Sequence, residues 1–268
     1  MKTLNLAVIG KDVSKSTSPQ IHTFIAEHMG NRVNYKRISV PEDEFENCVA
    51  SFFKDLDGFN VTIPYKLSIM PHLKSIQCDA EVFGAVNTVR TRDRAGDNTD
   101  GLGFALMLKN NGVEVNGKEV LLLGAGGAGR SVAKKLADAG ATVYVYDRRT
   151  ENAQAIAKEF KGVFALDEIK VKPYFAIINA TGVGMHKTEG ISPVGEDILK
   201  LCSVAVDLIY TPRKSRFLEI AEQCGKKIIN GEAMLFYQAY FSECIYFDLQ
   251  PNENQAKLLF EKYTEESL

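Results

Sequence analysis

The chain of 268 residues carries 32 lysines and arginines against 34 aspartates and glutamates, and this net charge of −2 excludes an overall basic field for nucleic acid. Hydrophobic residues at 45% and charged residues at 25% are ordinary for a folded globular protein. No run of 18 apolar residues offers a membrane span, and the length suffices for two domains, each with its own core.

Five cysteines, Cys48, Cys78, Cys202, Cys224 and Cys244, are odd in number and scattered. None forms C-x-x-C or a cluster with the four histidines, which points to reduced thiols, no metal site and a cytoplasmic location. Residues 1–10 contain one early lysine, but their apolar run is short and ends at Gly10, so they read as a strand rather than a leader.

In chain order, residues 4–9 read as a short buried strand. Ser18 and Pro19 open a helix, serine as N-cap and proline at the first helical position, with Ile21, Phe24, Ile25 and Met29 on its apolar face. Residues 35–40 suit a second strand, and the acidic stretch from Pro41 opens a helix in which Phe45, Val49 and Phe52 recur on one face. Residues 58–63 form a third strand halted by Pro64, after which Lys66 falls in the first turn of a helix. Residues 85–90 form a fourth strand and 91–99 a polar loop. This alternation predicts an open α/β domain with parallel strands. Residues 100–109 make a connecting helix that ends at Asn111 and Gly112. Beyond it, strands near 119–123, 142–146, 175–179 and 203–208 alternate with helices near 127–139 and 151–160, a Rossmann-type pattern. From Met234 to Leu268 the chain reads as one or two amphipathic helices, expected to pack back on the first domain.

The segment from Val120 to Arg130 is an apolar run that stops at Gly124 and places Gly124, Gly126 and Gly129 in G-x-G-x-x-G spacing. The first glycine permits a tight bend, the second lets backbone approach a pyrophosphate, and the third lets helix pack on strand. The anion would rest on free N–H groups at the helix start. A second strand ends in Asp147, the position for a ribose contact, so the unit reads as dinucleotide-binding.

Polar groups elsewhere suit a small molecule. Ser16 and Ser18 could donate to a carboxylate, although the local reading makes Ser18 a helix cap and Ser16 a solvated side chain. Asn60 and Thr62 lie on one side of a strand end, where ligands bind in such folds. Lys66 follows them, and Asn87 and Asp100 lie at turns, with Asp100 or Thr99 also suited to capping. Together they offer hydrogen bonds for a polyhydroxylated molecule and a lysine–aspartate pair to move a proton.

The order of these motifs resembles the shikimate dehydrogenase family over nearly the whole chain. The likeness rests on Ser16-Thr-Ser-Pro-Gln-Ile-His22, Asn60-Val-Thr-Ile-Pro-Tyr-Lys66, Gly84-Ala-Val-Asn-Thr88, Asn98-Thr-Asp-Gly101, Gly124-Ala-Gly-Gly-Ala-Gly129, Asn179-Ala-Thr-Gly-Val-Gly-Met185, Asp207-Leu-Ile-Tyr-Thr-Pro212 and Gly231-Glu-Ala-Met-Leu-Phe-Tyr-Gln238. The resemblance implies two open α/β domains: residues 1–99, completed by 236–268, for substrate and catalysis, and a Rossmann dinucleotide-binding domain over 100–235. It implies NADP-linked, reversible reduction of 3-dehydroshikimate to shikimate in aromatic amino-acid biosynthesis, by a monomer or homodimer whose only partner is a small-molecule substrate. Lys66 would be the acid/base with Asp100 bonded to it. Ser16, Ser18 and Tyr210 would hold the substrate carboxylate, and Asn60, Thr62, Asn87 and Gln238 would surround the ring oxygens. Gly124, Ala125, Gly126, Gly127 and Ala128 would bind pyrophosphate, with the backbone at Leu208 and Gly231 facing the nicotinamide.

Two departures qualify the likeness. The family often carries Asn-Pro and a histidine around the first loop, where this chain has Lys11, Asp12 and Lys15. NADP-specific members typically carry Asn-Arg-Thr after the second Rossmann strand, where this chain has Asp147, Arg148 and Arg149, with Asn152 at a downstream basic position. A carboxylate there suits a ribose 2′-hydroxyl and repels a 2′-phosphate, while the two arginines could clamp that phosphate. NADP is therefore the expected cofactor, with NAD use left open by Asp147. An NAD-preferring quinate/shikimate dehydrogenase is the nearest rival. A non-catalytic dinucleotide-binding regulator has no need of the Lys66–Asp100 pair, and a folate enzyme of similar architecture does not suit the paired serines.

Overall fold

The computed structural model describes residues 2–266, with the backbone alone at Cys78. The first elements in chain order are β1 (Thr3–Gly10), α1 (Ser18–His28), β2 (Arg32–Ser39), α2 (Phe45–Asp55), β3 (Gly58–Val61), β4 (Ser75–Ile76), α3 (Cys78–Phe83), β5 (Thr88–Arg90), β6 (Ala95–Asp97) and α4 (Asp100–Asn110). Then come β7 (Glu119–Leu123), α5 (Gly127–Asp138), β8 (Thr142–Tyr146), α6 (Thr150–Glu159), β9 (Val163–Leu166), β10 (Tyr174–Asn179), α7 (Glu196–Leu199), β11 (Cys202–Asp207), α8 (Arg216–Gln223), β12 (Lys227–Ile229), α9 (Glu232–Phe247) and α10 (Glu253–Glu266). Two compact units result, Met1–Gly103 with Phe236–Leu268, and Phe104–Leu235.

The first unit holds a six-stranded sheet in the order β2-β1-β3-β5-β6-β4. β1 pairs in parallel with β2 and β3, but β5 runs antiparallel to both β3 and β6. The sheet is therefore mixed rather than parallel, because residues 91–94 close a tight turn and send β6 back along β5. The stretch expected as loop after Arg90 contains that strand. Phe45, Val49 and Phe52 lie buried on one face of α2 against Phe59 and Val61 of β3, each burial stabilising the unit by about 1.5–3 kcal/mol. α9 departs from the amphipathic expectation. It is buried on nearly every side, which its polar residues tolerate by bonding inward. α10 has the narrower buried stripe of Ala256 and Leu259, and residues 267–268 of the expected tail lie outside the described residues.

In the second unit all strand pairs are parallel, in the order β12-β11-β10-β7-β8-β9. The chain winds one way from β7 to β9 and the other from β10 to β12, so direction switches between β7 and β10, where such sheets bind ligands. Val120, Leu121, Leu122, Val143, Ile177, Ile178, Ala205 and Val206 are all fully buried, the continuous apolar reading of strands covered on both faces.

Among the described residues no helix is long and apolar enough to cross a membrane, and no acidic, histidine and cysteine cluster is placed to hold a metal ion. Cys48, Cys202, Cys224 and Cys244 are free thiols; the Cys78 side chain lies outside the described residues.

Candidate active site

Lys66 is not in a helix. Its carbonyl accepts from the Val86 N–H at 2.9 Å, so it is unavailable to a residue four places on, and residues 63–69 form consecutive turns. Tyr65 anchors these turns, stacked on Phe45 at 4.1 Å with its hydroxyl donating to the Val40 carbonyl at 2.5 Å. Lys66 Nζ then donates to Asp100 Oδ2 at 2.5 Å, with the two side chains only 18% and 11% exposed. Asp100 is the first residue of α4, where the helix dipole favours a carboxylate. Its N–H donates to Asn98 Oδ1 at 3.0 Å, so Asn98 supplies the cap expected of Thr99 or Asp100 and the Asp100 carboxylate stays available to Lys66. Asn87 Nδ2 donates to Asp100 Oδ1 and to Thr99 Oγ1, both at 2.9 Å, and lies 3.3 Å from Gln238 Oε1. Asn87 Oδ1 accepts from the Thr99 N–H at 2.9 Å. Asn87, which holds the Asp100 carboxylate, is thus itself held.

Asn60, on β3, donates through Nδ2 to the Asn87 carbonyl at 3.2 Å, Thr88 Oγ1 at 3.2 Å and Ser242 Oγ at 3.1 Å. Its Oδ1 accepts from the Tyr35 hydroxyl at 2.7 Å. Asn60, Lys66, Asn87, Asp100 and Gln238 therefore belong to one hydrogen-bonded cluster. Thr88, the last residue of the Gly84–Thr88 motif, joins it, as do Ser242 and Tyr35, which are absent from the sequence expectation. Ser242 could have been found, since it lies four residues beyond Gln238 on one helix face; Tyr35 gives no local signal. Thr62 is half-buried just past β3, and a Cβ on Gly10 would meet its Cγ2 at 2.6 Å, which explains the glycine that ends β1.

The two serines contradict the local reading. α1 begins at Ser18 itself, with Thr17 at the N-cap making no side-chain bond. Ser16 Oγ accepts from the Ser18 N–H at 3.2 Å and donates to Ser18 Oγ at 3.0 Å. Arg37 Nε fixes the loop by donating to the Ser16 carbonyl at 2.7 Å. Two hydroxyls at a helix start, joined to each other, can both turn toward an anion.

The second unit carries the glycine turn. Gly124 has φ +98°, and a Cβ on Gly129 would lie 2.1 Å from the Gly124 carbonyl oxygen. Both positions therefore require glycine. A Cβ on Gly126 or Gly127 would meet nothing within 4 Å, so the turn presents an open face at the start of α5, beside Ala125 and Ala128. The Asp147 carboxylate is engaged on both oxygens: Oδ2 accepts from the Ala125 N–H at 2.8 Å and Oδ1 from the Arg149 N–H at 2.9 Å. It braces the glycine turn against the following loop. Arg148 and Arg149 are exposed, and with the Asn152 amide oxygen facing it, Arg149 donates from Nε at 3.2 Å and Nη2 at 3.1 Å.

At the end of β11 the chain passes Leu208 so closely that a Cβ on Gly231 would fall 2.0 Å from the Leu208 carbonyl oxygen. Tyr210 follows, 37% exposed. Asp207 below it is fully buried and accepts from Asn179 Nδ2 and the Ile209 N–H, each at 3.0 Å, and from the Ser215 hydroxyl. Burial pushes its carboxyl up to about 6 despite these bonds.

Residues 8–89 match a family model described as the shikimate dehydrogenase substrate binding domain, and residues 106–186 match one described as shikimate / quinate 5-dehydrogenase. The chain is 38% identical over 245 residues to a shikimate dehydrogenase (NADP(+)) of Carboxydothermus hydrogenoformans, covering 86% of this chain and 87% of that one. A chorismate mutase/shikimate 5-dehydrogenase fusion protein from Clostridium acetobutylicum has a similar structure, with TM-score 0.90, 37% identity and 99% of each chain covered. So does a shikimate 5-dehydrogenase from Thermus thermophilus in complex with NADP(H) and shikimate, with TM-score 0.86, 33% identity, and 97% of this chain and 99% of that one covered.

Proposed function

The chain belongs to the shikimate dehydrogenase family, and on that premise we propose that it catalyses the reversible NADP-linked reduction of 3-dehydroshikimate to shikimate. The observation that carries this reading is the Lys66–Asp100 pair at 2.5 Å, enclosed by Asn87, Thr99 and Gln238. The nicotinamide cofactor supplies or accepts the hydride, so the chain has to hold both molecules and handle one proton.

Lys66 does the latter. As the substrate ketone gains charge, an ammonium beside its oxygen stabilises that charge and then gives up a proton; in the reverse direction the neutral amine takes the hydroxyl proton. Asp100 keeps Nζ aimed, and Asn87 keeps Asp100 from turning away. Asn60, Thr62, Asn87 and Gln238 bond the ring hydroxyls, and Ser16 and Ser18 hold the carboxylate. In the second unit the open face at Gly126 and Gly127 takes the pyrophosphate. Arg148 and Arg149 clamp the 2′-phosphate while Asp147, tied to two backbone N–H groups, braces the turn. In this reading the first unit binds substrate and the second binds cofactor, in the cytoplasm, where free thiols stay reduced.

Asp147 favours one second reading, an NAD-preferring enzyme that also accepts quinate. A turnover assay crossing shikimate and quinate with NADP and NAD separates the two. Turnover greatest with shikimate and NADP supports the proposal; a strong NAD preference with quinate turnover replaces it, and no turnover in any arm refutes both.

A further inference from the structure

The polar cluster around Asn60 has a second wall that the proposed chemistry does not use. His22 on α1 and Glu243 on α9 meet with Nδ1 and Oε1 2.6 Å apart, their side chains 1% and 0% exposed. Burial pushes the Glu243 carboxyl above its ordinary range, with His22 opposing the shift. His22 Nε2 and Glu243 Oε2 are buried without a hydrogen-bond partner. An ionisable pair so enclosed and half satisfied costs stability relative to apolar side chains of the same size. Packing alone therefore does not account for it.

The imidazole stacks on the Tyr35 ring, with centroids 4.4 Å apart and planes 23° from parallel. The Tyr35 hydroxyl donates to Asn60 Oδ1 at 2.7 Å. Ser242, adjacent to Glu243 on α9, accepts from Asn60 Nδ2 at 3.1 Å. One helix thus grips both ends of the Asn60 amide, directly through Ser242 and indirectly through His22 and Tyr35. The Asn87 carbonyl admits only the amide nitrogen of Asn60, at 3.2 Å, and the Tyr35 hydroxyl, by donating, holds the oxygen on the other side. Burial, with the Glu243 charge adding to it, holds the Tyr35 phenol well above its ordinary value, so it remains a donor.

We propose that Glu243, His22 and Tyr35 form a relay of positioning residues that orients Asn60, leaving one lone pair of Oδ1 to accept a hydroxyl of the polyhydroxylated substrate. This rests on the reading of the site given above. The relay acts on substrate binding and not on proton transfer, so its signature is a split between KM and kcat.

Steady-state kinetics of Tyr35→Phe, Glu243→Leu and Glu243→Gln test it. Tyr35→Phe is expected to raise KM for shikimate about tenfold, the worth of one hydrogen bond, with kcat and KM for NADP within about twofold of wild type. Glu243→Leu should shift KM for shikimate in the same direction, and Glu243→Gln, which keeps an acceptor facing His22, should restore it. Tyr35→Phe with a wild-type KM for shikimate overturns the relay, whatever happens to its melting temperature or to the folding of the Glu243 variants. Equal losses in KM for NADP and in kcat overturn it too, as they indicate general damage. Wild-type enzyme that fails to turn over shikimate refutes the reading of the site, and the relay with it.

Discussion

Replacing Gly231 by alanine tests whether the Leu208 backbone borders the cofactor. The added Cβ would lie 2.0 Å from the Leu208 carbonyl oxygen, 2.5 Å from its carbon and 3.0 Å from its Cα. All three are backbone atoms, so no rotamer change relieves the overlap, and restoring contact distance requires a shift of about 1 Å. Overpacking of this kind costs about 1–3 kcal/mol, and strain on the Gly231 N–H bond to the Ile209 carbonyl, now 3.1 Å, adds about 1 kcal/mol. The melting temperature should fall by roughly 5–15 °C. A displacement of about 1 Å beside the reacting ring can also cost on the order of 100-fold in rate. Thermal melts paired with kcat and KM for NADP and shikimate read both effects. A lowered melting temperature with unchanged NADP kinetics would refute the placement of Leu208 and Gly231 in the cofactor site.

Two further outcomes follow from the second unit. Asp207 titrates near 6 in the folded chain against an ordinary 3.8, so between those values the unfolded chain loses its proton first and stability falls as pH rises. The loss amounts to about 3 kcal/mol by pH 7; Asp207→Asn should flatten that slope in urea denaturation measured from pH 4 to 7, and parallel profiles would contradict the assignment. Asp147→Asn removes a carboxylate from the region of the 2′-phosphate and should raise the ratio of kcat/KM for NADP over NAD roughly tenfold. A ratio that stays level or falls would show that Asp147 only braces the glycine turn.

The legible elements are those whose local pattern decides their structure. β7, β8, β10 and β11 are apolar runs between glycine-rich or polar breaks, the reading of strands buried on both faces. The glycine turn is legible because two of its glycines, Gly124 and Gly129, answer a local steric demand. Short edge strands are not: β9 has four residues and β12 three, too few for a period to show. The turn at Lys66 reads as helix in sequence, but its carbonyl goes to Val86, twenty positions on. Ser18 carries a capping pattern, yet the helix begins one residue earlier than that pattern implies. Lys66, Asp100 and Asn87 stand out as polar residues at turns, and the ordered motifs join them. Tyr35 reaches Asn60 only through strand register and tertiary packing, so nothing in its neighbours marks it. α9 reads as amphipathic in sequence, but its polar residues Gln238, Ser242 and Glu243 each bond inward, so it is buried on nearly every side.

The central claim is that Lys66 moves the proton. Lys66→Ala, folded as judged by circular dichroism and assayed at saturating shikimate and NADP, should lose about 10²–10⁴-fold in kcat. KM for NADP should stay near wild type, because the glycine turn proposed to hold the cofactor belongs to the other unit. A kcat within a few-fold of wild type would contradict the account and return Lys66 to an ordinary ion pair with Asp100.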